Sequence, residues 1–463
     1  MATTVVSREN INNWAPDSPN LYWFRRALEA MQEISDASLM DERGYQWVAG
    51  VHGGFGGIPY CEHGTLSFLT WHRPYILDFE LKVRDQIRRL ASAEIADEWR
   101  LPYWDWGASG VTGLPTSFTD QTYDDQGVTK PNPLYAMPYK LPYDPNVGQN
   151  PWPTTTFRSP RSVATLQSLR ALVLDALENE RQFNYFSGAI ENPHNQLHNW
   201  VRGYMLTLRS SFDPIFWLHH CNVDRQFWLW QEKNGDSSIP ASVRNFTCQP
   251  FAFQDNRAEA FFDTRTLGYT YAVSRTLVTA DVARPAPAAP PVPAAPDPAA
   301  PAAAPPPAAA PLPDTLTVNV GSIDNDFVRA RVHMHGVEHV GDTHEVHVFA
   351  NRSTAPDDST PKTDAEQFVG SYVILGHGEC PGAPGHCERK HATRDGIRRE
   401  HHLSPFDLFI DVSKGLSKLS QANSSGPGIG KLKLAFVVVN SVTGKQVSND
   451  VIRFENISVT THD

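Results

Sequence analysis

Seven histidines precede residue 280, and all of them fall in two short stretches of the chain. Imidazole nitrogens bind copper, zinc and iron, and three of them can hold one ion without a carboxylate. A single histidine on an apolar stretch is more often a packed core residue than a ligand. Two matched groups, each flanked by Trp and Phe, instead indicate two ions side by side. The first group is His52, His63 and His72, and the second is His194, His198, His219 and His220.

The spacing of the second group fits a helix. His194 and His198 are four residues apart, so on a helix they lie one turn from each other and can bind one ion. Zinc proteases use the same spacing in HExxH, but the intervening residues here are Asn195-Gln196-Leu197, so the catalytic glutamate is absent. The third ligand must come from the histidine pair at 219 and 220. The first group has spacings of 11 and 9 residues (63 − 52 and 72 − 63), which require a loop as well as a helix.

Apolar periodicity predicts the helices that position these side chains. The segment 68–90 contains Pro74, which a helix tolerates only in its first turns. Asp213 and Pro214 form a favourable helix start, with an acid at the N-cap and proline at the first helical position. We predict helices over residues 21–34, 68–90, 165–177 and 214–230, and irregular structure over residues 107–160.

A segment of almost pure Pro and Ala divides the sequence at residues 281–314. It has no periodic apolar face to bury, and its prolines favour polyproline II, so we predict a semi-rigid, protease-sensitive linker. A docking site for a proline-recognition domain is the alternative. Beyond the linker the apolar pattern has period two, which predicts an antiparallel sandwich or barrel. The predicted strands are residues 315–320, 329–335, 345–349, 368–374, 406–412, 432–439 and 451–459.

The composition sets the class of protein. A chain of 463 residues with 40% hydrophobic residues can bury large cores in about two or three domains. A net charge of −11 gives no reason to expect nucleic acid or an anionic membrane as a partner. No long uncharged apolar run and no signal peptide are readable, so we expect a cytoplasmic protein without a membrane span. Five cysteines argue against a disulfide framework.

Two motifs connect the histidines to a known family. HGTLSFLTWHRPYILDFE and DPIFWLHHCNVDR resemble the two copper-binding signatures of the type-3 copper family, which comprises tyrosinases, catechol oxidases and hemocyanins. The resemblance covers residues 14–271 and includes LPYWDW and the GYTY motif near its end. It implies a mainly α catalytic domain over residues 1–280, in which a four-helix bundle holds two copper ions. O2 is the implied co-substrate, and small-molecule phenols and catechols are the implied substrates. The linker and an all-β sandwich or barrel-like domain over residues 315–463 would follow.

The resemblance also implies which histidines are ligands. It implies that His220, and not His219, is a copper ligand. His219 is then expected to pack against the site or to form a hydrogen bond. Asp224 lies one turn beyond His220 and is expected to accept a hydrogen bond from an imidazole and orient it. A salt bridge with Arg225 is the alternative for this acid. The matching ligands are His52, His63 and His72 for the first copper, and His194, His198 and His220 for the second.

Cys61 stands two residues before His63. Similar Cys-x-His sequences in fungal and plant members of the family form a thioether between the sulfur and the imidazole ring, which the resemblance implies here. Such a bond would fix a ring that no helix holds. The alternative is a small buried thiol.

Oxidation of a phenol with a pKa near 10 needs a base at neutral pH. Glu191 lies three residues before His194, and Asn195 directly follows it. In tyrosinases a Glu and an Asn at similar positions are thought to hold a water that deprotonates the monophenol. The presence of both favours a tyrosinase. The plain alternatives are an acid in the first turn of a helix and a solvated amide.

Other functions of the same scaffold stay open. A catechol oxidase or an o-aminophenol oxidase would lack monophenol hydroxylation. A hemocyanin shares these histidines and carries O2. Hemocyanins, however, are very large, secreted, multi-unit chains, so we expect an enzyme.

The β domain resembles the C-terminal domains of fungal and some bacterial tyrosinases, which cap the active site in a latent form. We expect it to cover the copper pocket, with a linker that permits its displacement or removal. His333 and His335 alternate on one strand face and are expected to be surface residues. One loop of the β domain contains His377, Cys380, His386, Cys387 and His391. These residues indicate either a metal site that takes part in copper delivery, with a copper chaperone as the partner of this protein, or a disulfide between the two cysteines.

Overall fold

The computed structural model describes residues 5–53, 61–140, 154–272, 309–323, 329–338, 340–351, 367–376, 405–422 and 429–462. Across these ranges, no helix combines the length and the apolar character needed to cross a membrane. The loop with Cys380 and Cys387 and the histidines beside them lies outside the described residues. So do residues 273–308, which form most of the Pro/Ala segment.

The N-terminal half is helical, and the predicted helices are present with small shifts at their ends. The third helix begins and ends at the residues that the pattern predicts. Two short 3-10 turns, Gly203–Leu206 and Leu208–Phe212, fill the connection before the seventh helix. The helices are α1 (Pro19–Ala37), α2 (Tyr45–Gly53), α3 (Phe68–Leu90), α4 (Ala93–Glu98), α5 (Val163–Asn179), α6 (Phe183–Val201), α7 (Ile215–Asn234) and α8 (Ala241–Arg244).

Local chemistry accounts for two of these helices. Pro74 lies within α3 and has no N–H, which removes the usual partner of the Thr70 carbonyl. The Cys248 thiol donates to that carbonyl instead, at 3.6 Å. At the start of α7 the Asp213 carboxylate accepts a hydrogen bond from the Ile215 N–H at 3.0 Å, as an N-terminal cap does.

The two ends of the helical domain meet in a buried network. Strand β1 (Val6–Arg8) pairs in parallel with β4 (Tyr269–Tyr271), and between them in sequence the region 107–160 contains the hairpin β2 (Thr122–Asp125) and β3 (Val128–Pro131). Arg8 binds Glu80 of α3 at 2.8 Å and Asp224 of α7 at 3.1 Å. The predicted irregular region is thus interrupted by one hairpin, and the GYTY motif joins the network that ties α3 to α7.

The C-terminal half is a sandwich of two sheets. Of the two predicted architectures, sandwich and barrel, the sandwich is therefore the one observed. The strands are β5 (Ala310–Pro311), β6 (Thr315–Ile323), β7 (Arg329–Val337), β8 (His344–Ala350), β9 (Phe368–Ile374), β10 (Phe406–Asp411), β11 (Ile429–Asn440), β12 (Gln446–Val447), β13 (Arg453–Phe454) and β14 (Asn456–His462). The larger sheet has the order β12-β11-β8-β9 with β6 also paired to β11, and the smaller has the order β10-β7-β14. Helix α9 (Ser413–Ala422) packs against β9 and β7.

The last residues of the Pro/Ala segment belong structurally to the sandwich. β5 pairs with β13, and the Leu312 side chain is only 1% exposed within the β core. The helical half has a separate apolar core that ends at Tyr271. The helical and the β regions therefore have separate apolar cores on the two sides of residues 273–308.

Candidate metal centre

All seven histidines that precede the Pro/Ala segment are buried and lie together in the helical domain. His52 and His63 have ring centroids 5.2 Å apart, and the His63 ring stacks 5.5 Å from that of His194. The His72 ring stacks on that of His220 at 4.4 Å. The two groups therefore face each other in one pocket. Their positions are α2 for His52, the loop before α3 for His63, α3 for His72, α6 for His194 and His198, and α7 for His219 and His220.

Backbone carbonyls fix the orientation of three of the rings. The Nδ1 atom of His52 lies 2.9 Å from the Leu208 carbonyl oxygen. Since a carbonyl can only accept, Nδ1 carries the proton and Nε2 keeps its lone pair. The same tautomer follows for two more rings. His72 Nδ1 lies 2.7 Å from the Phe68 carbonyl oxygen, and His198 Nδ1 lies 2.7 Å from that of Met205.

The orientation of the His194 ring is fixed by a side chain instead of a backbone carbonyl. Its Nδ1 lies 2.8 Å from Asn195 Oδ1, while the Asn195 Nδ2 group donates to the Val373 carbonyl at 2.9 Å. Because Nδ2 acts as the donor, Oδ1 is the acceptor and His194 Nε2 is left with its lone pair. Asn195 thus orients a ring of the pocket.

The inward-facing nitrogens fit copper. His194 Nε2 lies 3.1 Å from His198 Nε2, although both atoms carry lone pairs that repel each other. That separation is close to the ~3.3 Å expected between two donors bound about 2.0 Å from one ion. His52 Nε2 and His72 Nε2 are also buried without a hydrogen-bond partner among the described residues. Each group thus presents lone pairs that a soft or borderline cation would satisfy.

Burial keeps these imidazoles neutral, which metal binding requires. It lowers the pKa of His52 to about 4 and that of His198 to about 3. Burial and the neighbouring imidazoles lower the pKa of His72, His194 and His220 well below the usual value. The rings therefore have their lone pairs available at neutral pH.

His219 and His220, near the start of α7, differ in their hydrogen bonds. The indole N–H of Trp106 donates to His219 Nδ1 at 3.1 Å, so the proton of the neutral His219 ring is on Nε2. A protonated Nε2 cannot bind a cation. His220 Nε2 instead lies 3.1 Å from His194 Nε2. This contact favours His220 as the third ligand of the second ion, with His219 as a hydrogen-bonded neighbour.

Asp224 does not have the partner that the sequence predicts. Its carboxylate accepts from Arg73 Nε at 2.5 Å and from the Tyr271 hydroxyl at 2.6 Å, with Tyr269 and Arg8 completing the set. The expectation that it orients an imidazole is wrong, because two guanidinium groups and two tyrosine hydroxyls donate to it instead. The alternative salt bridge is wrong as well, since Arg225 pairs with Asp105 at 3.3 Å. Asp224 joins α3, α7 and the domain ends.

Glu191 lies between the two halves of the pocket. It is on α6, one turn before His194, and is only 4% exposed. Its Oε1 accepts a hydrogen bond from the Gly64 N–H at 2.5 Å, beside His63. The carboxylate thus links the helix of the second histidine group to the loop of the first. Cys61, in the same loop, is buried and forms no disulfide with another described cysteine, and its bond to His63 stays a prediction.

The β sandwich covers the α6 side of the pocket. Asn192 donates to the Ser371 carbonyl at 3.0 Å, next to the contact between Asn195 and Val373. Asn199 reaches Glu345 at 3.3 Å. The Phe406 ring lies against Gly64, where a Cβ atom would come within 2.5 Å of it. Gly64 has φ +65°, a conformation that favours glycine.

Ion pairs hold the same interface at its edge. Arg329 of the sandwich binds Asp175 of α5, and Arg331 binds Glu180. Arg161 of the helical domain binds Glu345 of the sandwich at 3.2 Å. No local sequence pattern reveals these contacts or the position of Phe406, because the residues in contact are at least 151 positions apart in the chain.

Comparison with known proteins agrees with this geometry. Residues 42–233 match the family model described as the common central domain of tyrosinase. A tyrosinase from Podospora anserina is 30% identical, and the match covers 55% of this chain and 59% of the relative. The chain thus spans less than two thirds of the length of that relative.

Solved structures share the fold across both halves of the chain. A mutant of Aspergillus oryzae pro-tyrosinase has a TM-score of 0.62 at 18% identity, covering 100% of this chain and 94% of that one. A functional unit of octopus hemocyanin has a TM-score of 0.59 at 19% identity, covering 98% and 99%. The common fold therefore includes a tyrosinase and a hemocyanin alike.

Proposed function

We propose that this chain is a tyrosinase of the type-3 copper family, because residues 42–233 match the common central domain of tyrosinase. It would use O2 to oxidise monophenols to o-diphenols and o-diphenols to o-quinones. The observation that carries the proposal is the position of Glu191, a buried acid on the helix of the second histidine group whose carboxylate reaches the loop of His63. An O2 carrier needs no such base.

The two histidine groups would each hold one copper ion. His52, His63 and His72 would bind the first, and His194, His198 and His220 the second. The bound ions supply the redox chemistry with O2 and the positive charge that attracts a phenolate. The chain itself contributes six imidazoles, which carry no negative charge to compensate that of the ions, and the Phe68 and Phe216 rings that pack against them.

Glu191 and Asn195 would handle the phenol proton. A carboxylate in this position can accept a proton through one bound water. In the docked form described above, the Asn195 Nδ2 group is occupied by the Val373 carbonyl. An amide nitrogen has two N–H donors, so movement of the sandwich away from α6 would free a second one for a water held together with Glu191.

The substitution Glu191→Gln tests the base. We expect monophenol turnover to fall by about 100-fold, which is the scale of a lost general base, while catechol turnover changes little. Tyrosine and catechol oxidation are measured on protein with a verified copper content. Glu178→Gln, an exposed acid on α5, is the matched control. If Glu191→Gln keeps its monophenol turnover with copper bound, the assignment fails.

Two related functions differ in the same assays. A catechol oxidase or an o-aminophenol oxidase would oxidise its diphenol or aminophenol and leave tyrosine unchanged. A hemocyanin-like carrier would take up O2 reversibly and develop no colour with either phenol.

We further propose that the β sandwich holds the enzyme latent. Phe406 occupies the space beside Gly64, at the loop that carries His63, and the polar contacts on α6 engage Asn195. A phenol entering from this side would meet the sandwich before the histidines. Displacement of the sandwich would both open the pocket and break the hydrogen bond from the Asn195 amide to the Val373 carbonyl.

Proteolysis and one substitution test the latency. Cleavage within residues 284–308 should raise phenol turnover, because the sandwich is then held only by noncovalent contacts. Phe406→Ala should raise the turnover of the uncleaved chain, whereas Val451→Ala, an exposed site on the same domain, should not. Unchanged turnover after cleavage and domain removal would refute the proposal.

A further inference from the structure

A second group of potential ligands lies on the β sandwich. His333 and His335 are on β7, and Asp407 is on the neighbouring strand β10. The pairing of these strands shifts at a bulge between Phe406 and Leu408, which is where Asp407 lies. Bulges re-aim side chains and often occur beside functional sites. Here the bulge brings a carboxylate to two histidines 72–74 residues earlier in the chain.

The donor atoms have the spacing of ligands around one ion. His333 Nε2 lies 3.2 Å from Asp407 Oδ2, and His335 Nδ1 lies 3.6 Å from the same oxygen. One ligand atom from each of the three residues lies within 4.8 Å of the other two. Nitrogen and oxygen ligands about 2.0–2.1 Å from a tetrahedral ion are ~3.3 Å apart. Both measured separations fall close to that value.

Outer contacts orient two of the three ligands. His335 Nε2 lies 3.1 Å from the Ser458 hydroxyl oxygen, which leaves Nδ1 to face Asp407. The other oxygen of Asp407 accepts a hydrogen bond from the Gly336 N–H at 2.9 Å, which leaves Oδ2 to face the histidines. Ligands of metal sites are held by outer partners in this way.

We propose that His333, His335 and Asp407 form a third metal site, separate from the copper pocket, for a borderline divalent ion such as Cu²⁺ or Zn²⁺. Two imidazoles and one carboxylate are ligands that both ions accept. The Asp407 side chain is 52% exposed, so water can reach the ion and complete its coordination. The sequence alone indicates two surface histidines on one strand face, since the third ligand comes from a distant strand.

A metal count tests this site without any phenol assay. The full-length chain with its copper pocket loaded is titrated with Zn²⁺, and separately with Cu²⁺, by calorimetry and equilibrium dialysis. We expect wild type to bind one more ion per chain than His333→Ala/His335→Ala. Asp407→Asn keeps an acceptor for Gly336 but removes the charged ligand, so we expect affinity to fall at least ~10-fold.

Asp450→Asn is the matched control, since it removes an exposed carboxylate from the same domain. It should bind both ions as wild type does. Circular dichroism of each variant verifies that the sandwich is folded. The proposal is overturned if the double variant and Asp407→Asn bind as many ions as wild type with the same affinity, or if wild type binds none beyond the pocket. Either result is independent of whether the chain oxidises phenols.

Discussion

The two halves of the copper pocket are held in different ways. The second group of proposed ligands lies on two long helices, α6 and α7, so helix geometry places His194, His198 and His220. The first group has one proposed ligand at the end of α2, one on α3 and one, His63, in a loop. The second half is thus built into the helical core, whereas the first depends on contacts of that loop.

The difference shows where the pocket needs additional support. The loop that carries His63 is tied to α6 by the bond from Gly64 to Glu191, and Cys61 offers a covalent bond. No comparable device is needed at His198, whose ring is fixed by the Met205 carbonyl within the helical domain. We therefore expect changes in the second half to affect folding as well as copper, and changes in the loop to affect copper alone.

The largest effect is expected at His220. Replacing it with Ala removes a ligand of the second ion, and phenol turnover should fall at least ~10³-fold with loss of about one copper per chain. His219→Gln keeps an acceptor for Trp106 and should retain both ions. Copper is counted by mass spectrometry beside a catechol assay. If His219→Gln loses the ion and His220→Ala keeps it, the assignment is reversed.

The second-largest effect is expected at Asp213, which supports the start of α7. Asp213 is fully buried and binds Arg158 at 2.5–2.8 Å, so Asp213→Ala leaves a buried guanidinium without its acid. We expect about 3–5 kcal/mol of lost unfolding free energy, measured by urea denaturation. Asp41→Ala breaks an exposed pair with Arg43 and should cost less than ~1 kcal/mol. Equal losses in the two variants would contradict the role of Asp213.

A smaller effect is expected for the loop of the first half. With a thioether, the intact mass of wild type is two hydrogens below the sequence mass, and the deficit lies in the Cys61 peptide. Cys61→Ser should remove this deficit and weaken binding of one copper by roughly 10–100-fold, with unfolding free energy nearly unchanged. Cys248→Ser is the control for a buried thiol away from His63. A wild-type mass without the deficit rules the bond out.

The smallest effect concerns the interface with the sandwich. Burial alone would raise the pKa of Glu345, but the hydrogen bond and charge of His347, together with Arg161, lower it to about 2. A lowered pKa stabilises the folded sandwich above the unfolded pKa of about 4.3, and this contribution is lost as pH falls toward 2. Of the two partners only Arg161 belongs to the helical domain, so only its share of the shift favours docking.

We therefore expect Glu345→Gln to weaken docking by on the order of 1–2 kcal/mol at pH 7, and less as the pH approaches 2. Domain release is followed by limited proteolysis of wild type and variant at each pH. A difference that grows as pH falls would contradict the sign of the shift.

The sequence predicts the motifs and the helices better than the contacts between them. The bounds of α3 and the helical spacing of His194 and His198 follow from local periodicity. The partners of Asp224 do not, because Arg8 and Tyr271 come from the two ends of the domain. The position of Phe406 does not follow from the sequence either, since its contact with Gly64 depends on how the sandwich packs on the helical domain.

The choice of His220 over His219 illustrates the same limit. Sequence likeness selects His220, but the physical reason is the indole N–H of Trp106, which lies 113 residues away and sets the tautomer of His219. Asn195 likewise has two functions that only the structure separates. Its oxygen orients His194, and its nitrogen binds the sandwich.

The most direct test of the central claim is a copper count combined with a phenol assay on wild type and on His72→Ala/His198→Ala. The double variant loses one ligand from each half of the pocket. We predict that wild type binds two more copper ions per chain than the variant and oxidises both tyrosine and catechol, and that the variant oxidises neither. Equal copper contents, or reversible O2 uptake by a two-copper protein that leaves both phenols unchanged, would contradict the account.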